Sequence, residues 1–118
     1  MSEHDLQAAI VAYLRLVLPP DQVIVGISNN PRSKQTGARE KARGMVAGFP
    51  DLLLCGKVVG FLEVKLPGKG LRLTQTMWAE FCHATGMNWA LVHSIDNVRE
   101  VLHNWGVKTR EAGRIDLR

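Results

Sequence analysis

Acidic and basic residues occur at a close spacing in the middle of the chain. Asp51 follows Pro50 at the start of one short apolar run, and Glu63 and Lys65 lie two positions apart in the next run. Side chains two apart on a β-strand point to the same face of the sheet. A Glu and a Lys on one face of such an apolar strand need an explanation, because burial of an unpaired charge is costly. Two carboxylates beside a lysine are a combination that can hold a divalent cation.

The turn between the two runs decides whether Asp51 faces Glu63. A regular loop of two residues would place Asp51 opposite Leu62, on the wrong face. An odd loop centred on Gly56 would instead place Asp51 opposite Phe61. Asp51 and Glu63 would then be diagonal neighbours roughly 7–8 Å apart, a gap that a divalent metal can bridge. The metal-site hypothesis therefore requires an odd loop or a bulge, which Gly56 can supply.

The chemistry of such a site follows from its donors. Two carboxylates with open positions suit Mg²⁺ or Mn²⁺, which keep several waters and share phosphate oxygens. A metal of this kind lowers the pKa of a bound water and neutralises charge that develops on phosphorus. Lys65 would orient or deprotonate the attacking water, or stabilise the charged phosphorus centre. The pattern predicts hydrolysis of a phosphodiester, unless Glu63 and Lys65 are only an exposed pair on an edge strand.

Basic residues are concentrated ahead of this site. The net charge of +4 and the pI of about 9.4 are mild indications of a polyanionic partner. The alternative is a solvated basic loop. The predicted DNA-binding residues are Arg32, Lys34, Arg39, Lys41, Arg43 and, in a flexible loop over 67–70, Lys69.

The elements that must position these residues follow from the apolar pattern. Leu6, Ile10, Tyr13, Leu14 and Val17 recur at three- and four-residue steps, which predicts an amphipathic helix. Ser2, Thr74 and Ser94 are the predicted helix N-caps, and Gly86 is a predicted C-cap. The predicted helices span 2 to about 18, 37–43, 74 to about 85 and 96 to about 104, and the predicted strands span 22–28, 51–55, 58–66 and 89–93.

This order, α-β-(α)-β-β-α-β-α, predicts an α/β fold with a mixed central sheet of about four strands flanked by helices. The 118 residues suggest a single domain over 1–118, in which the last dozen residues form a tail or a short extra strand. No run is apolar enough for a membrane span, and the N-terminus lacks a signal-peptide pattern, so we expect a cytoplasmic protein. Cys55 and Cys82 indicate neither a disulfide framework nor a zinc site.

Three short motifs carry a family resemblance. They resemble the VRR-NUC domain, the virus-type replication-repair branch of the PD-(D/E)XK nuclease superfamily, over residues 3 to about 92. The resemblance implies a restriction-endonuclease-like core. It also implies that Asp51 and Glu63 are metal ligands, with the Val64 carbonyl as a third, and that Lys65 is the catalytic lysine. The motifs are Gly48-Phe49-Pro50-Asp51, Phe61-Leu62-Glu63-Val64-Lys65 and Leu73-Thr74-Gln75.

Further residues are assigned by the same resemblance. Gln75 matches a glutamine near the scissile phosphate, although it is also an ordinary residue for a first helical turn. Glu3 matches an acid that approaches the metal through water, with Gln7 in support, although Glu3 would also suit the helix dipole. The segment 29–33 resembles a family loop but lacks its glycines, while Arg32 remains a predicted phosphate contact.

The activity that the resemblance implies is a Mg²⁺- or Mn²⁺-dependent endonuclease acting on branched DNA such as Holliday junctions, as a homodimer. Two other functions stay open: a nuclease for flap or linear DNA ends, and a non-catalytic DNA-binding module with a vestigial site. Trp78, Phe81 and Leu73 fall on one helical face, which favours core or dimer interface over base stacking. The four histidines are scattered, which favours structural roles for them.

Overall fold

The chain folds as a mixed sheet with helices on both sides. The computed structural model describes residues 1–27, 38–39 and 41–111. The predicted α/β class with a mixed four-stranded sheet is confirmed. The short helix predicted over 37–43 is present at residues 38–39 and 41–42, and the rest of that prediction lies outside the described residues. The elements are α1 (Glu3–Val17), β1 (Gln22–Gly26), β2 (Leu52–Gly56), β3 (Gly60–Val64), α2 (Leu73–Thr85), β4 (Asn88–Val92) and α3 (Ile95–Asn104).

The sheet has the strand order β1-β2-β3-β4. The first three strands are antiparallel neighbours, and β4 pairs parallel to β3. A parallel pair needs a crossover connection, which α2 supplies. β3 is therefore an interior strand with hydrogen-bonded neighbours on both sides, so the edge-strand interpretation of Glu63 and Lys65 is wrong.

One face of the sheet packs against α1 and α3. The predicted apolar stripe of α1 is buried there, together with alternate residues of the strands such as Leu52, Leu62 and Val92. Tyr13 also holds the C-terminal segment, because its hydroxyl donates to Glu111 at 2.7 Å. The part of that segment that the structure describes, up to residue 111, forms no strand, and residues 112–118 lie outside the described residues.

The capping residues agree with the predictions except at the N-terminus of α2. Ser2 and Ser94 accept hydrogen bonds from backbone N–H groups in the first turns of α1 and α3, and Gly86 adopts the left-handed conformation at the end of α2. Thr74 is not the N-cap of α2, because that helix begins at Leu73 and its N-cap is Arg72. The side chain of Gln75 fixes this start, since its Oε1 accepts the Arg72 N–H at 2.8 Å.

The loop between β2 and β3 is fixed by hydrogen bonds from a side chain of β1. Gln22 is buried, and its side-chain amide donates to the Val58 carbonyl at 2.8 Å and accepts the Val58 N–H at 2.6 Å. Gly56 has a φ of 141°, and a Cβ atom there would lie 2.0 Å from the Asp21 carbonyl oxygen. These contacts set the length of the loop and, with it, the register of the two strands. Within the described residues, no helix is long and apolar enough to cross a membrane.

Candidate metal centre and cleft

The β2–β3 register turns Asp51 toward Glu63. Leu52 pairs with Leu62 and Leu54 with Gly60, which leaves an odd loop over 55–59. Continuing this register by one residue places Asp51 directly opposite Glu63. The two-residue turn considered from the sequence is absent. The odd loop has the parity that a shared site requires, but the pairing centres on Lys57 rather than Gly56. The two acids are therefore direct rather than diagonal neighbours.

Asp51 is tied to the strands on both sides of it. Its Oδ2 accepts the backbone N–H of Val64 at 2.9 Å, and its own carbonyl accepts the N–H of Ile27 at 2.8 Å. The side chain thus continues the ladder between β2 and β3 beyond the last backbone pair. A carboxylate held this way loses little further conformational freedom when it binds a ligand.

Glu63 is buried next to Asp51, with only 1% of its surface exposed. Burial is the main cause that raises the pKa of Glu63 to about 9, followed by its hydrogen bond to Asp51 and the Asp51 charge. The Lys65 charge opposes this shift, and the Glu3 charge adds to it slightly. At neutral pH, Glu63 therefore holds a proton. A cation between the two carboxyl groups would replace that proton.

Lys65 follows β3 and is also buried, with 5% exposed. Its backbone N–H donates to the Val92 carbonyl at 3.1 Å, and its carbonyl accepts a hydrogen bond from Nδ1 of His93 at 3.0 Å. These bonds anchor the lysine to β4. His93 thus contacts the backbone of Lys65. The Lys65 charge acts on Glu63, as expected for side chains two apart on one face of a strand.

Gln75 connects α2 to the acidic pair. Its Nε2 donates to Oε2 of Glu63 at 3.3 Å, while its Oε1 holds the start of the helix. Gly48 allows the opposite wall to approach, because it has a φ of 78° and a Cβ atom there would lie 2.4 Å from the Thr74 carbonyl oxygen. The segment before Pro50 and the first turn of α2 therefore pack backbone to backbone.

An open, polar cleft of about 440 Å³ is lined by Asp51 and Gln75, whereas Glu63 and Lys65 are not among its described lining residues. Glu3, which is half-buried in the first turn of α1, acts on the site through its charge. Gln7 lies one turn later and lines the cleft. The side chains and backbone around the cleft belong to His4, Gln7, Gly26, Ile27, Gly48, Phe49, Asp51, Arg72, Thr74 and Gln75.

The sequence analysis did not assign His4 or Arg72 to the site. The signal for His4 is its position between Glu3 and Gln7 in the first turn of α1. The signal for Arg72 is its spacing of three residues before Gln75, which is the spacing of a capping box. Both side chains add basic groups to the lining of a cleft in which Asp51 is the acid among the described lining residues.

The predicted DNA-binding residues lie away from the cleft or outside the described residues. Arg39, Lys41 and Arg43 are exposed ahead of the segment that forms one wall. Lys69 is exposed in the loop that leads to α2. None of these four lines the cleft. Arg32 and Lys34, with the whole segment 29–33, lie outside the described residues.

The carboxyl groups of Asp51 and Glu63 are neighbours at this site. Among the residues that the structure describes, no three His, Cys, Asp or Glu side chains form a group that could hold a metal ion. A cation at this place would be held by Asp51 and Glu63 and completed by oxygen donors such as the Val64 carbonyl and water. That donor set fits Mg²⁺ or Mn²⁺, which take oxygen ligands and retain waters.

Comparison of the chain with protein-family models, curated proteins and solved structures found no match. The resemblance to the VRR-NUC domain therefore rests on the motif residues themselves.

Proposed function

We propose that this chain is a Mg²⁺- or Mn²⁺-dependent DNA endonuclease with a restriction-endonuclease-like core of the VRR-NUC type. The observation that carries the proposal is the direct pairing of Asp51 with Glu63 at the ends of adjacent strands. Lys65 lies on the same face, and an open cleft leads to Asp51. A buried acid with a strongly raised pKa, here Glu63, beside a second acid that lines a cleft is an arrangement typical of functional sites.

Asp51 and Glu63 would hold the cation, with the Val64 carbonyl as a third protein ligand and Glu3 acting through water. When bound, the ion supplies an acidified water and positive charge beside the phosphate. Asp51 is pre-positioned by the Val64 N–H, and Glu63 by Gln75. The protein thus provides a rigid pair of negative ligands whose mutual repulsion only a proton or a cation relieves.

The reaction is hydrolysis of a phosphodiester. The water oxygen attacks phosphorus, and the bond from phosphorus to the leaving oxygen breaks. The Lys65 ammonium orients the water and stabilises the added negative charge, solvent takes up the proton that the water loses, and solvent protonates the leaving oxygen. Gln75 lies at the cleft wall, where it can hold a phosphate oxygen through the amide that also contacts Glu63.

Branched DNA is the proposed substrate, and a homodimer is the proposed active form. A four-way junction offers two symmetric cleavage points, which a dimer with C2 symmetry would match. The exposed residues Arg39, Lys41, Arg43 and Lys69 supply positive charge for the phosphate backbone.

One observation favours a rival function. Only two acids converge within the described residues, and a non-catalytic DNA-binding module with a vestigial site would share this feature. Such a module would bind DNA without cleaving it. A nuclease for flap or linear ends is the second alternative, and it differs only in the DNA structure that it prefers.

A single substrate panel tests these functions. Purified wild type, Asp51→Ala and Glu63→Ala are incubated with four-way, flap, single-stranded and linear duplex DNA, with Mg²⁺ or Mn²⁺ supplied. Wild type should cleave, four-way junctions best, and both variants should lose cleavage while keeping their circular dichroism spectra. Absence of cleavage of every substrate by wild type would contradict the enzyme proposal. Preferred cleavage of flaps or ends would replace the junction assignment.

A further inference from the structure

A second cavity adjoins the cleft on the outer side of α2. Its volume is about 260 Å³, and we name it the α2 groove. It is open to solvent along the helix. The residues that line it are Val46, Ala47, Thr74, Met77, Trp78 and Phe81.

The α2 groove and the cleft adjoin at the first turn of α2. Thr74 lines both cavities. On the opposite wall, Val46 and Ala47 line the groove, and the next two residues, Gly48 and Phe49, line the cleft. A chain molecule that enters the cleft can therefore continue past the first turn of α2 into the groove.

The groove offers an aromatic surface with rigid support. Phe81 is 50% exposed, and its ring stacks on that of Trp78 with centroids 5.1 Å apart and planes 27° apart. Trp78 in turn contacts Phe49 at 4.9 Å and Phe61 at 5.9 Å, between ring centroids. The exposed ring is thus the outermost member of a stack that begins on β3. A rigid aromatic ring of this kind is a surface on which nucleic-acid bases stack.

Basic residues precede the groove residues in the chain and others line the adjoining cleft, whereas the described lining of the groove itself is uncharged. None of the described lining residues carries a charge. Arg72 lies at the cleft end, and in the described part of the chain no carboxylate forms an ion pair with it. Lys41 and Arg43 are exposed just before Val46 in the sequence. A strand of nucleic acid presents the complementary pattern, with charged phosphates between apolar bases.

The exposed fractions of the apolar side chains on α2 exclude the core, one of the two locations that the sequence left open for them. Phe81 and Leu73 share a helical face, which predicted core or dimer interface. In the structure, Leu73 is 75% exposed and Met77 is 59% exposed, so these side chains are not core. The groove shares Thr74 with the cleft, which favours a planar group of a molecule bound in the cleft over a second copy of the chain.

We propose that the α2 groove binds a nucleobase adjacent to the phosphate in the cleft, with Phe81 as the stacking residue. This inference rests on the proposed function and deepens it. A base can reach the groove only when it is unpaired, so the substrate strand carries an unstacked nucleotide beside the cleavage point. Stacking accepts any base, so the site selects DNA structure rather than sequence.

The test measures coupling between the Phe81 ring and one base. A short oligothymidylate is compared with the same strand carrying a single abasic position at each place in turn. Affinities are measured with Ca²⁺ present by fluorescence anisotropy for wild type, Phe81→Ala and Phe81→Leu. The control is Leu16→Ala, which removes a side chain that is 74% exposed on α1.

Wild type should lose about tenfold in affinity at one abasic position, since stacking contributes roughly 1–3 kcal/mol per base. Phe81→Ala should bind the intact strand about tenfold more weakly than wild type does. It should bind that abasic strand no more weakly than it binds the intact strand. Phe81→Leu should also lose affinity, because it keeps apolar bulk but not the ring, and Leu16→Ala should match wild type. The proposal would be overturned if wild type bound all strands with equal affinity. It would also be overturned if removal of the Phe81 ring and removal of the base each lowered the affinity independently of the other.

The oligomeric state tests whether a second copy of the chain, rather than a nucleobase, occupies the α2 groove. Sedimentation of wild type and Phe81→Ala should give the same mass. A loss of mass on substitution, with no dependence on the base, assigns the groove to a second copy and overturns the inference. The binding readout does not depend on cleavage. Base-dependent binding without any cleavage would remove only the enzyme proposal, and cleavage without base dependence would remove only this inference.

Discussion

The two faces of β3 are both buried, yet they differ in chemistry. Leu62 and Val64 point into the apolar core beneath α1 and α3, and both are fully buried. Phe61, Glu63 and Lys65 alternate with them on the opposite face and are nearly as buried. Burial therefore does not distinguish structural from functional positions here. The core face stabilises the fold, whereas the site face keeps ionisable groups out of water at a cost in stability.

The largest expected effect comes from the core face. Leu62→Ala would leave a cavity among fully buried side chains, so the free energy of unfolding should fall by about 2–5 kcal/mol. Urea denaturation followed by circular dichroism measures this change. Leu16→Ala is the matched control, because Leu16 is exposed, and it should change stability by roughly 0.5 kcal/mol or less. A loss as small for Leu62→Ala as for the control would contradict the placement of that face in the core.

Gly48→Ala tests the wall that covers the site face. A Cβ atom at a φ of 78° is strained, and it would lie 2.4 Å from the Thr74 carbonyl oxygen. We expect a loss of roughly 1–3 kcal/mol in stability, together with reduced cleavage because Gln75 moves with the helix. Gly68→Ala is a suitable control, since Gly68 also has a positive φ of 83°, but a Cβ atom there would have no neighbour within 4 Å. Equal stability and cleavage in the two variants would show that the close packing is unimportant.

Glu63→Gln should raise the free energy of unfolding of the metal-free protein, whereas Leu62→Ala should lower it. The folded pKa of Glu63 is about 9, against 4.5 as its ordinary value. Between these values the unfolded chain loses the proton while the folded metal-free protein keeps it, so stability falls as pH rises. The neutral amide removes this penalty. Glu63→Gln should therefore stabilise the metal-free protein by about 1–3 kcal/mol at pH 8.

The pH dependence is the check on that prediction. Urea midpoints measured from pH 5 to 9 in the presence of a chelator should diverge, with the advantage of Glu63→Gln growing as pH rises. Excess Mn²⁺ should reverse the order, because only the carboxylate gains stability from the cation. Parallel curves for the two proteins without metal would mean that Glu63 is not held neutral by its surroundings.

Gln75→Ala is expected to have the smallest effect on stability. It removes the side chain that holds the Arg72 N–H and the donor that contacts Glu63. The cost should be about 0.5–2 kcal/mol, typical of a lost helix cap, with cleavage reduced about tenfold. Thr85→Ala removes a hydroxyl that bonds only within α2 and serves as the control. An unchanged cleavage rate in Gln75→Ala would separate this glutamine from the site.

The sequence predicted the core face better than the site face. Periodicity alone identified the buried residues of α1, because helical spacing and burial have one cause there. The parity of the β2–β3 loop remained open, since the register depends on a contact between Gln22 of β1 and Val58 in that loop. That contact joins residues far apart in the chain, and no local pattern encodes it.

The N-terminus of α2 shows a similar limit. Thr74 is the better capping residue by type, but Gln75 folds back to hold Arg72, and Thr74 lines the cleft instead. The motif did place Asp51, Glu63, Lys65 and Gln75 together. It did not include His4 or Arg72, which line the cleft because α1 and α2 begin beside it.

The central claim is that Asp51 and Glu63 hold one divalent cation between two strands. Calorimetric titration of the protein with Mn²⁺ at pH 7, in two buffers of different ionisation enthalpy, measures both binding and proton release. The account predicts one ion per chain, release of about one proton as the cation replaces that of Glu63, and no binding by Asp51→Asn. Binding by Asp51→Asn equal to that of wild type, or no binding by wild type, would contradict it.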